Sequence, residues 1–145
     1  MAILSLEMLF SDQQAITADA LSTNIFDRQS PGSWIHSGGN QIIDDLGNSM
    51  VPLFFQVTEA FNNLTSLGVQ FIQSANSDMS SPSTIYSETI ALADLTAGRK
   101  FAVRYVPHDV TDQYLSFNYD VTGTAPTTGK VTAGFACQED SWGTR

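Results

Sequence analysis

Leu9-Phe10-Ser11-Asp12-Gln13-Gln14-Ala15-Ile16-Thr17-Ala18-Asp19-Ala20-Leu21-Ser22-Thr23-Asn24-Ile25-Phe26-Asp27 is the stretch on which the reading of this chain turns. The apolar run Met8-Leu9-Phe10 meets Ser11-Asp12, two turn formers. β-Branched and apolar residues then alternate with small polar ones, and the stretch closes on Ile25-Phe26. That order predicts a strand, a turn at Ser11-Asp12 and a second short strand. Upstream, Ile3, Leu4, Leu6 and Met8 share the first nine residues with one charge, Glu7. They read as a strand or as an arm, residues 1–9, laid on another surface, with helix as the rival.

Downstream the pattern breaks. Pro31-Gly32 and Gly38-Gly39-Asn40 are strong turn signals, so residues 28–48 predict an extended loop holding at most one short element. Loops of that length in compact domains are uncommon and tend to carry function. Trp34 and Ile35 within it read equally well as an anchor on a partner or as a lid on the domain's own core.

Beyond Asn48 the sequence alternates with a period of two. Val51, Leu53, Phe55 and Val57 alternate with Pro52, Phe54, Gln56 and Thr58; Leu67, Val69 and Phe71 form a second set. Ile85 to Leu92, Phe101 to Val106, Leu115 to Val121 and Val131 to Cys137 follow. Each set predicts a strand with one face buried and one in water. Turn chemistry separates them: Ser80-Ser81-Pro82-Ser83, Ala97-Gly98-Arg99, Pro107-His108-Asp109 and Gly123 to Gly129. Asp94 to Gly98 also fits a helical turn closed by glycine. With the amino-terminal pair this makes about eight antiparallel strands, hence an all-β jelly roll or β-sandwich in a single domain, residues 1–145.

Composition narrows the function classes. With 15 acidic and 6 basic residues the formal charge is −9. Phosphate backbones and anionic membrane surfaces are bound chiefly through Lys and Arg, so neither nucleic acid nor membrane is expected as a partner. A basic protein surface fits better. No run approaches the roughly 20 apolar residues of a spanning helix, and no secretory leader is recognisable. Cys137 alternates with apolar residues and reads as a small core side chain rather than a nucleophile.

Catalytic patterns are sought without success. His36, His108 and Cys137 lie far apart in the sequence and lack metal-ligand spacing. There is no Gly-x-Ser-x-Gly elbow and no glycine-rich phosphate loop. Asn63-Leu64-Thr65 has the form of a glycosylation sequon and reads as a polar turn. Trp34, Tyr86 and Trp142 are the aromatics that could stack on sugar rings. A carbohydrate-binding β-sandwich is therefore one alternative and a tail or connector protein another. No enzyme activity, cofactor or metal is expected.

The opening stretch resembles that of the capsid cement, or decoration, proteins of tailed bacteriophages, the family typified by the Bordetella-phage cement protein. The residues that carry the likeness are Phe10, Ser11, Asp12, Gln14, Ala15, Thr17, Ala20, Ser22, Thr23, Asn24 and Asp27. Further segments fall in order along the chain: Leu53 to Phe61, Thr65 to Ser74, Ala97 to Phe101, Tyr114 to Gly123 and Gly129 to Gly134. The long segment 28–48 departs from the pattern.

The resemblance implies a jelly-roll virion protein, made in the host cytoplasm, that sits on the outer surface of an icosahedral head and bridges subunits of the major capsid protein. It also implies self-association as a homodimer or homotrimer. On this reading, contact with capsid or partner subunits is expected from Leu4, Leu6, Leu9 and Phe10 of the arm and from Trp34, Ile35 and Ile42 of the loop.

Overall fold

A computed structural model describes residues 4–30, 41–42, 51–100, 106–107 and 109–136. The chain is all-β, as the period-two patterning requires. The described residues form ten strands: β1 Leu4–Ala15, β2 Ala20–Leu21, β3 Phe26–Asp27, β4 Gln29–Ser30, β5 Gln41–Ile42, β6 Leu53–Glu59, β7 Leu64–Ser74, β8 Ser83–Ala91, β9 Tyr114–Gly123 and β10 Lys130–Ala136. The helical turn expected at Asp94 to Gly98 lies earlier: a single 3-10 turn spans Leu92–Asp94, directly after β8, so Leu92 is in the turn and not in the strand.

Two antiparallel sheets hold the long strands. The first has the order β1-β10-β6. The second runs β2-β9-β7-β8, with β3 also on β9. Their facing side chains interleave into one core, including Phe10, Phe55, Val57, Val131 and Phe135 from the first sheet and Leu67, Val69, Phe71, Leu115, Phe117 and Tyr119 from the second. Rings cross the gap: Phe10 lies 5.4 Å from Phe117 and 6.0 Å from Phe71, both edge to face. This is the expected β-sandwich, each sheet presenting alternate residues inward.

β6 is paired on both sides. Beyond β10, Val57 exchanges hydrogen bonds with Gly98 and Arg99, and the Val106 amide donates to the Val51 carbonyl. Of the strand predicted over Phe101 to Val106, residues 101–105 lie outside the described residues.

Three expectations need correction. First, no turn interrupts Ser11-Asp12: β1 runs through it, and the break in pattern is taken up by bulges, with register shifts between Leu9 and Ser11 and between Ser11 and Gln14. Gln13 sits there at φ 46°. Second, residues 4–9 do not form a separate arm, because Leu4 pairs with Ala136 and Leu9 with Gly134. Third, segment 28–48 contains two short strands, not one element at most: Gln29 pairs with Ile42 and Ser30 with Gln41.

Burial also departs from strict alternation. Leu53-Phe54-Phe55 and Phe71-Ile72-Gln73-Ser74 are buried residue after residue, so both faces of the sheet are covered there. Over Gln73 the cover is the segment Asp109 to Gln113. The Gln73 amide group donates to the Asp109 carbonyl at 3.0 Å and its oxygen accepts from the Thr111 and Asp112 amides. Arg28, only 4% exposed, donates from Nη1 to the carbonyls of Val110 and Asp112. Two buried side chains thus satisfy a connection that has no ladder of its own.

Candidate functional site

The polar residues of the opening stretch are spent on holding the chain as it passes from the first sheet to the second. Ser11 Oγ lies 2.8 Å from the Tyr119 hydroxyl in the core and donates to Gln14 Oε1. That same Gln14 oxygen accepts from the Thr23 amide, while Nε2 donates to the Leu21 carbonyl. Asp19 Oδ1 accepts from the Val121 amide. Ser22 Oγ lies 2.8 Å from Ser116 Oγ and also accepts from the Phe117 amide. Burial pushes the Tyr119 phenol well above its ordinary pKa, and the Ser11 hydrogen bond offsets only part of that.

The crossing leaves a groove. Asn24 bonds β1 from outside, its amide donating to the Phe10 carbonyl at 2.9 Å and its side chain to the Leu9 carbonyl at 3.1 Å. Between the two segments lies a depression of about 200 Å³ lined by Met8, Leu9, Phe10, Asn24, Ile25, Phe26 and Asp27. Phe26 and Phe10 are packed inward, with Phe135 5.2 Å from Phe26 and 5.0 Å from Phe10. Met8 and Ile25 face water at 38% and 36% exposure, as two of the three exposed large apolar residues among those described; Leu21 is the third. Asp27 brings a carboxylate to one end, where it accepts from Gln113 Nε2.

The residues singled out from the sequence divide accordingly. Leu9 is half-buried on the groove. Phe10 is 2% exposed and rings itself with Phe26, Phe71, Phe117 and Phe135. Its ring belongs to the core between the sheets, although it also contributes to the lining of the groove. Leu4 and Leu6 fall on β1 and Ile42 on β5. Trp34, Ile35, His36, His108, Cys137 and Trp142 lie outside the described residues. Tyr86 is half-buried on β8. Of the sequon, Asn63 makes the turn at φ 65°, whereas Leu64 and Thr65 already belong to β7.

Met8, Ile25 and Arg28 are what the sequence reading missed. Met8 and Ile25 sit in apolar runs, and nothing local says which members face out. Among the described residues, no group of three His, Cys, Asp or Glu side chains could hold a metal ion, and no helix is long and apolar enough to cross a membrane.

A family model, Bbp16, matches residues 10–135. No curated protein matches the chain.

Proposed function

The chain belongs to the Bbp16 family, and from that premise we propose that it is a virion structural protein, a cement protein on the outer surface of a phage head that ties major capsid subunits together. One observation carries the reading: the family match over 10–135 takes in the opening stretch and every later segment in which the sequence resembles cement proteins. The surface charge is in keeping with it, since a protein of charge −9 is drawn to basic protein surfaces and repelled by naked nucleic acid.

The activity is binding without turnover. A protein that binds the assembled lattice but not separated subunits stabilises the lattice by mass action, about 2.7 kcal/mol per site when its free concentration is 100 times Kd. Self-association into a dimer or trimer multiplies the effect through effective concentration, with no strong single contact required. The groove of Met8, Leu9 and Ile25 is the first capsid contact in this reading; Leu4, Leu6, Trp34, Ile35 and Ile42 are further contacts expected from the resemblance.

The test is co-sedimentation of the purified chain with expanded empty heads and, separately, with unassembled major capsid protein. Binding to heads at a fixed copy number, without binding to free subunits, is the expected result. Failure to sediment with heads refutes the reading. Ile25→Asp places a charge in the groove and is expected to weaken attachment at least tenfold. As a change at an exposed side chain it should alter the stability of the free protein by no more than about 0.5 kcal/mol.

A further inference from the structure

We propose that Asn24 is the positioning residue of the groove: by gripping two successive carbonyls of β1 it sets the spacing of Ile25 from Met8, and so the shape that a capsid subunit meets. This rests on the cement reading above and adds the part of the fold that gives the contact surface one shape.

The two walls of the groove belong to different sheets. Met8, Leu9 and Phe10 are in β1, which pairs with β10, whereas Phe26 and Asp27 are β3, which pairs with β9. Among the described residues no ladder joins β1 to β3, and Ile25 is in no strand. Downstream, Ile25 is anchored by Phe26, whose ring packs against Phe10 and Phe135. Upstream its neighbour is Asn24. Only that upstream anchor can be removed without opening the core.

The grip depends on the side chain. A register shift between Leu9 and Ser11 breaks the regular pairing of β1 with β10, and at that bulge two successive carbonyls accept from one residue. The Asn24 amide donates to Phe10 at 2.9 Å and Nδ2 donates to Leu9 at 3.1 Å. Any residue but proline supplies the first donor. The second needs a side-chain N–H, which alanine lacks and an ionised aspartate cannot replace, because a carboxylate only accepts.

A second clamp on the same segment provides the comparison. Gln14 Oε1 accepts from Ser11 Oγ and from the Thr23 amide, and Nε2 donates to the Leu21 carbonyl. Gln14, Leu21 and Thr23 do not line the groove. Both clamps tie the crossing segment to β1, and the Gln14 clamp makes more hydrogen bonds, but only the Asn24 clamp stands beside Ile25. A residue that merely stabilised the fold would affect attachment in proportion to the stability it supplies; a positioning residue breaks that proportion. Preorganised surfaces bind more tightly because less ordering remains to be done on contact.

Asn24→Ala, Asn24→Asp and Gln14→Ala, each compared with the wild type, test this by urea midpoint, by the Met8 methyl resonance on the opposite wall, and by binding to expanded empty heads. Both Asn24 variants are expected to shift the Met8 resonance and to weaken attachment about fivefold, the scale of one net hydrogen bond; Asn24→Asp should do so although it adds a negative charge. Gln14→Ala is expected to lower the urea midpoint at least as far, while the Met8 resonance stays in place and attachment holds within about twofold. Asn24 variants that attach as the wild type does, an unmoved Met8 resonance in both, or attachment that follows the urea midpoint across all three variants overturns the proposal and leaves the cement reading standing. A wild-type chain that does not attach to heads refutes both.

Discussion

Tyr119 concentrates the chemistry of the core in one hydroxyl. It is fully buried, it meets Ser11 Oγ at 2.8 Å, and burial raises its pKa. Folding therefore keeps the phenol protonated above the point where an unfolded tyrosine loses its proton, about pH 10. The folded state then binds more protons than the unfolded one, so this group's contribution to stability is full below about pH 10 and is lost as pH rises beyond it. Urea midpoints measured from pH 8 to 11 should show that fall in the wild type and a shallower one in Tyr119→Phe. At neutral pH the same substitution removes a buried hydrogen bond and should cost about 1–2 kcal/mol. None of this was legible locally. Ser11-Asp12 is a turn former by composition, and nothing near it announces a partner 108 positions away. Phe10, read as a contact, is likewise claimed by rings from β7, β9 and β10.

Among the elements, β1 shows how a strand is shaped by what it crosses. At the bulge, Gly134 lies under it: a Cβ there would come 2.5 Å from the Met8 carbonyl oxygen and 3.0 Å from Leu9 Cα. Gly134→Ala should therefore push β1 off β10 and destabilise the domain by roughly 1–3 kcal/mol, read as a lower urea midpoint and faster amide exchange in 8–11. The connection 109–113 offers a second test. Gln73→Ala leaves the amides of Thr111 and Asp112 without their acceptor and should cost about 1–3 kcal/mol, with exchange in that connection accelerating most. The long strands were legible because period-two alternation survives in β6, β7, β9 and β10. The two-residue strands β2 to β5 are too short to carry a period; β2 and β3 are tied in by side-chain hydrogen bonds such as Gln14 to Leu21 and Gln113 to Asp27, which become visible only in three dimensions.

At the scale of the whole molecule, the proposed attachment has an electrostatic side: the groove is acidic in setting, through Asp27 at one end, and the chain as a whole carries a charge of −9. Attachment should accordingly weaken as ionic strength rises from about 0.05 to about 0.5 M, because screening shortens to a few ångströms over that range; head occupancy at fixed protein concentration measures it. The all-β class and the acidic charge were readable from composition and spacing, and the family from the opening stretch. The groove was not, since it forms where β1 and the segment 24–27 meet, and neither segment alone shows which of its apolar side chains face out. If the β3 and β8 ends of the second sheet are held by different neighbours, a shell that swells pulls across the sheet, at right angles to its strands. The β7–β9 ladder, from Leu64 opposite Gly123 to Ser74 opposite Tyr114, then lies in the line of tension. The protein's worth as a fastener would be set by that seam's breaking force, a quantity that neither its melting point nor its affinity reports.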